Sequence, residues 1–113
     1  MRKSLKENVE DIAKEFGLFK NGLYSYSLPD AEPNDFLIRY NYAKGTIDCA
    51  EHIRNQIDGF LKKSANFKFG FKGIQTVTRK QARIVIMKII EEYKQLLNDY
   101  KKKELEKDFE WVN

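Results

Sequence analysis

The chain holds a single cysteine, two prolines, one histidine and one tryptophan in 113 residues. One thiol excludes an internal disulfide and any multi-cysteine zinc site, and it is what a reducing compartment leads one to expect, so the sequence is read as cytoplasmic. The lone His52 leaves no histidine set for a metal, and no metal or other cofactor is expected. No apolar run approaches the ~18 residues a bilayer span needs, and the start, Met1-Arg2-Lys3-Ser4, leads into a charged helix and not an apolar secretory core; no membrane partner is expected. Gly70-Phe71-Lys72-Gly73 lacks the Gly-Lys-Ser/Thr ending of a phosphate-binding loop. The combination argues against an enzyme.

A further absence is local. Between Gly59 and Ile90 there is no Asp or Glu, although acids number 17 overall, while Lys62, Lys63, Lys68, Lys72, Arg79, Lys80, Arg83 and Lys88 all fall there. Cut after Asp35 and after Lys103, the chain carries −2, +9 and −3, so the formal net charge of +4 conceals a concentrated positive field. Such a field attracts polyanions, nucleic acid above all, and would equally suit an acidic protein face.

What is present is enough for a fold. Hydrophobic residues make up 42% and aromatics 13% of the chain, and 113 residues suffice for one compact domain with its own core. Ser4-Leu5-Lys6-Glu7 forms a capping box, and Leu5, Val9, Ile12, Ala13 and Phe16 define one helical face ending at Gly17. Asn21-Gly22 marks a turn before a strand at Leu23 to Leu28; after a loop holding both prolines, alternation from Phe36 to Ala43 predicts a second, antiparallel strand. Thr46 then caps a helix over Ile47 to Lys63, on the spacing of Ile47, Ala50, Ile53, Ile57, Phe60 and Leu61. Phe67, Phe69 and Phe71 alternate with Lys68, Gly70 and Lys72, and a Lys72-Gly73 turn precedes Ile74 to Val77, which predicts a strand or short hairpin. Thr78-Arg79-Lys80-Gln81 is a second capping box that starts the longest helix, whose stripe runs through Ile86, Ile89, Ile90, Tyr93, Leu96, Leu97 and Tyr100. Residues 101–113 read as a charged extension that frays or lies on a partner. The expected fold class is α+β: three helices and a small antiparallel sheet of three or four strands, in the order αββαβ(β)α.

Four constellations bear on function. Arg79, Lys80 and Arg83 crowd the first turn of the last helix, where the macrodipole disfavours cations by ~0.3–1 kcal/mol each and favours anions. With the hydroxyl of Thr78, and with Lys68 and Lys72 nearby, they are candidates for a phosphate or nucleic-acid backbone contact; the plainer reading is solvated charge, or pairing with acids of the first helix. The Phe67–Lys72 segment resembles the aromatic signature with which RNA-recognition and cold-shock domains stack bases. It departs from that signature in lacking the Gly after the basic residue and in carrying Lys72 at an aliphatic position, and the element order is not βαββαβ; buried phenylalanines with wet lysines are the plainer reading. Asp48, Glu51 and His52 would converge at i, i+3 and i+4 on the predicted second helix, and Cys49 beside them reads as a small buried filler. The tyrosines at 24, 26, 40 and 42 suit cross-strand stacking as well as a recognition surface.

The resulting expectation is a small, non-enzymatic accessory protein that binds nucleic acid or a nucleoprotein complex through its basic central segment. The competing expectation is a protein-binding inhibitor, immunity or anti-defence module, of the kind phages and mobile elements encode, acting on an acidic protein surface. Ile86, Ile90, Tyr93 and Leu97 are candidates for homodimerisation through the last helix.

Overall fold

A computed structural model of the chain describes residues 4–32, 34–55 and 69–112. The elements are α1 (Leu5–Glu15), β1 (Phe19–Lys20), β2 (Ser25–Ser27), β3 (Ile38–Asn41), β4 (Thr46–Asn55), β5 (Phe69–Val77) and α2 (Arg79–Val112). The five strands form one antiparallel sheet in the order β1-β2-β3-β4-β5, each strand pairing with its neighbours in sequence. The α+β class holds. The described residues contain two helices where three were expected, and five strands where three or four were.

The main correction is β4. Ile47 to Asn55 was expected to be helical, and it is the central long strand; the remainder of that predicted helix, residues 56–63, lies outside the described residues. The segment fits both periods, because Ile47, Ala50 and Ile53 are three apart while Ile47, Cys49 and Ile53 share a parity. Pairing decides between them. A four-residue turn closed by Gly45 N–H to Asn41 O (2.7 Å) returns the chain beside β3, and β5 covers the other edge from Ile47↔Val77 to Asn55↔Phe69. Gly45 sits at φ 65°, where a side chain would be strained. β5 satisfies one edge along nearly the whole strand, β3 pairs residues 46–49 on the other, and beyond it the Ile53 N–H donates to the Glu92 carboxylate (3.3 Å), so helix propensity has little further to offer this segment.

The second correction is at Gly73. The predicted turn there does not form, and β5 runs unbroken from Phe69 to Val77 with Gly73 at φ 78° inside it. A Cβ at that position would meet the side chain of Glu51 on β4. The N-terminal strands are shorter than expected, with β2 confined to Ser25–Ser27 and β3 to Ile38–Asn41, and β1 was not foreseen.

Both helices lie on one face of the sheet. Val9 and Ile12 of α1 and Ala82, Ile86 and Ile89 of α2 close over Ile38, Ile47, Cys49, Phe69 and Phe71 to form the core. Each fully buried aliphatic side chain contributes about 1.5–3 kcal/mol. Ser4 caps α1 by accepting the Glu7 N–H at 3.2 Å, and its hydroxyl donates to the Glu7 carboxylate. At the outer edge of β5, the segment after Leu28 supplies partners: Phe69 N–H donates to Asp30 O (3.1 Å), Glu32 N–H donates to Phe69 O (2.8 Å), and the Asp35 carboxylate accepts the Phe71 N–H (3.0 Å). The start of an edge strand, at Phe69 and Phe71, is thereby paired. α2 continues past the core through Lys101–Lys103 to Val112, and no helix among the described residues is long and apolar enough to cross a membrane.

Candidate functional site

The cationic first turn of α2 packs beside α1, and the two helices enclose a cleft of about 330 Å³ lined by Asn8, Asp11, Ile12, Arg79, Lys80 and Arg83. Helical spacing on each side builds it. Residues 8, 11 and 12 share one face of α1, while 79 and 80 open the first turn of α2 and 83 follows one turn on, above 79. The capping box forms as its sequence predicts: Thr78 Oγ1 accepts the Gln81 N–H (3.2 Å), and the Gln81 side-chain carbonyl accepts the Thr78 N–H (3.0 Å). The Thr78 oxygen therefore serves as a helix cap, leaving only its own proton to offer a ligand.

The three cations differ in freedom. Arg83 Nη2 lies 2.9 Å from Glu15 Oε1, so the plainer expectation, pairing with an acid of the first helix, describes this residue. Arg79 Nη1 donates to the buried Asn8 Oδ1 at 3.4 Å, which aims its guanidinium into the cleft. Lys80 is exposed, and no ion pair engages it among the described residues. Lys72 is exposed on β5 opposite His52, away from this cleft in the ladder, and Lys68 lies outside the described residues. The structure thus brings Thr78, Arg79, Lys80 and Arg83 together and leaves Lys72 apart. Asn8 and Asp11 were not foreseen; the one available signal was a polar Asn8 beside the apolar Val9 and Ile12 of an otherwise regular stripe.

The aromatic segment resolves in favour of packing for the residues described. Phe69 is 0% exposed and Phe71 8%, their rings lie edge to face at 5.5 Å, and Phe69 meets Tyr93 of α2 at 5.3 Å. Phe67 is outside the described residues. Burial, with Asp30 nearby, raises the Tyr93 phenol above its usual value. In α2, Ile86 is wholly buried in the chain's own core, Ile90 and Tyr93 are half-buried against it, and Leu97 is half-buried further along.

Because residues 46–55 are a strand, Asp48 and His52 fall on one parity and Glu51 on the other, so the three do not converge as a helix would have made them. Asp48 instead anchors a polar cluster on the sheet face turned away from the helices. Its Oδ2 accepts from Arg39 Nε (3.3 Å) and Nη2 (3.2 Å) and from Asn41 Nδ2 (3.0 Å), and its Oδ1 from the hydroxyls of Thr46 and Thr76 (3.1 Å each). Burial alone would raise the Asp48 carboxyl; these hydrogen bonds outweigh it and hold the group below its ordinary value. Cys49, on the core side of the same strand, is buried, and desolvation with Asp48 beside it pushes its thiol up to about 12. A thiol so protonated is a packing group and not a nucleophile.

Set against models of known protein families, characterised proteins and solved structures, the chain matches none.

Proposed function

We propose that the protein is a small, non-catalytic accessory factor that holds the phosphate backbone of a nucleic acid at the cleft between α1 and the start of α2. The observation that carries this reading is the placement of Arg79, Lys80 and Arg83 around one open cavity at a helix N-terminus, with Asn8 orienting Arg79. Cations in a first helical turn oppose the dipole, and an anion seated among them relieves that opposition while receiving charge-assisted hydrogen bonds. Phe69 and Phe71 lie in the core, so the contact at this end is with phosphate and not with bases, and it is independent of sequence.

The test is fluorescence anisotropy with labelled single- and double-stranded oligonucleotides at ~50 mM salt, where phosphate contacts are strongest. Binding should weaken steeply as salt rises, and an Arg79→Glu/Lys80→Glu variant should lose at least about tenfold in affinity through removal of about two phosphate contacts and addition of repulsion. Absence of binding to both probes would overturn the proposal. The same cations would serve the competing reading, an inhibitor or immunity module on an acidic protein surface; a partner captured from lysate that survives nuclease digestion, and is lost in the double variant, would favour it.

A further inference from the structure

Burial of Phe69 and Phe71 removes one stacking platform, and the fold assembles another from residues distant in sequence. Tyr24 lies at the tip of the turn between β1 and β2, and Tyr42 opens the turn between β3 and β4. Pairing of β2 with β3, extended by Tyr40 N–H to Tyr24 O (2.9 Å), brings the two tips together. Between them runs a groove of about 220 Å³ lined by Tyr24, Ser25, Arg39, Tyr40, Asn41 and Tyr42. Its volume is below the ~300–1,000 Å³ of an enclosing small-molecule site, so it admits a planar ring from the side without swallowing a whole ligand.

The aromatic groups are already ordered. Tyr40 is half-buried, Tyr24 stands edge-on to it at 5.9 Å, and Tyr42 leans on Tyr24 at 5.6 Å and 56° while remaining 72% exposed. Two cations stand near them, Lys6 with its Nζ 5.2 Å from the Tyr24 ring centre and Lys44 exposed in the Tyr42 turn, while Glu10 of α1 lies on the Lys6 side, toward Tyr26. Arg39 is held flat, with Nε and Nη2 bound to Asp48 and its guanidinium 4.4 Å from the Phe36 ring centre, and its other N–H donors are left for a ligand. Fixed aromatic rings beside cations match the chemistry of an unpaired base joined to phosphate. A duplex keeps its base faces stacked on one another, where no tyrosine at a groove can reach them.

We infer that this groove stacks bases of a single-stranded nucleic acid, which makes the protein a single-strand binder; the inference rests on the nucleic-acid reading above and adds the substrate class. The phosphate cleft is lined by α1 and the start of α2, and the tyrosine groove by β2, β3 and the turns that flank them, so the two sites share no residue.

The test measures anisotropy of fluorescein-labelled oligo-dT and oligo-rU and of a duplex of equal length, with the parent chain, Tyr42→Ala, Tyr42→Phe and Lys80→Glu. Tyr42 is a surface residue, and circular dichroism checks that each variant is folded. The parent should prefer the single strands. Tyr42→Ala should weaken single-strand binding about 5- to 100-fold, as loss of one base–aromatic stack does, with the duplex unchanged and with Tyr42→Phe close to the parent. Lys80→Glu should weaken both probes. If Tyr42→Ala leaves single-strand affinity unchanged, or lowers single-strand and duplex binding alike, the groove is not a base-stacking site while the phosphate cleft stands. If no probe binds the parent, both readings fall.

Discussion

Replacing Asp48 with alanine should destabilise the protein by about 2–4 kcal/mol. The carboxylate is 4% exposed and receives Arg39, Asn41, Thr46 and Thr76 at 3.0–3.3 Å, so its removal strands several donors around a small void. Hydrogen bonds to a charged group are worth about 1.5–3 kcal/mol each in mutational series, but they share one acceptor here and do not add. Breaking a fully buried ion pair would cost about 3–5 kcal/mol, and the Arg39 side chain, 37% exposed, recovers part of that through water. Asp48→Asn keeps the shape and one acceptor oxygen, and should cost about 1–2 kcal/mol. In urea titrations with a slope of about 1–2 kcal/mol/M, the midpoint of the alanine variant should fall by about 1–4 M. The second arm is pH. The folded carboxyl lies below its unfolded value of about 3.9, so its contribution is complete above that value and is lost as pH falls from there through the folded value. The parent should therefore lose more stability than Asp48→Asn between about pH 5 and pH 2. A change under about 0.5 kcal/mol in Asp48→Ala, or parallel acid limbs in parent and Asp48→Asn, would refute the reasoning.

Two further outcomes follow from single positions. Gly73→Ala should cost about 1–2 kcal/mol by chemical denaturation, because φ 78° is retained by the ladder on either side; the cost should persist in a Glu51→Ala background, and its disappearance there would assign it to contact with Glu51 instead of to the backbone. Cys49 should resist thiol-specific alkylation at neutral pH until the protein is unfolded. Its stabilising contribution is full below the unfolded thiol value of about 8.5 and declines as pH rises toward about 12, so the parent should lose about 2 kcal/mol more than Cys49→Ala between pH 8 and pH 10; equal alkaline losses would contradict this.

Local signals were legible wherever they had one meaning. Ser4 and Thr78 cap the helices that follow them, and the stripe through Ile86, Ile89 and Ile90 faces the core, because caps and 3.6-residue spacing are properties of a short stretch of chain. The charge of the first turn of α2 was likewise visible in sequence. Residues 46–55 satisfied two periods at once, and the difference between helix and strand there is made by β3 and β5, which supply hydrogen-bond partners from residues up to 30 positions away. The error carried into the site: on a helix Asp48, Glu51 and His52 share a face, whereas on β4 Asp48 meets Arg39 and Thr76.

The sequence alone determined the α+β class, a capped amphipathic helix at Ser4 and another at Thr78, one thiol, and a cluster of cations where α2 begins. Those features depend on neighbours within a few residues. Tertiary structure decided which of the cations are engaged, since Glu15 and Asn8 reach Arg83 and Arg79 only when α1 lies beside α2. It also decided that two phenylalanines belong to the core while Tyr24 and Tyr42 meet at the rim, because the sheet face that α2 covers and the hairpin tips that converge are set by strand pairing, a contact between residues far apart in the chain.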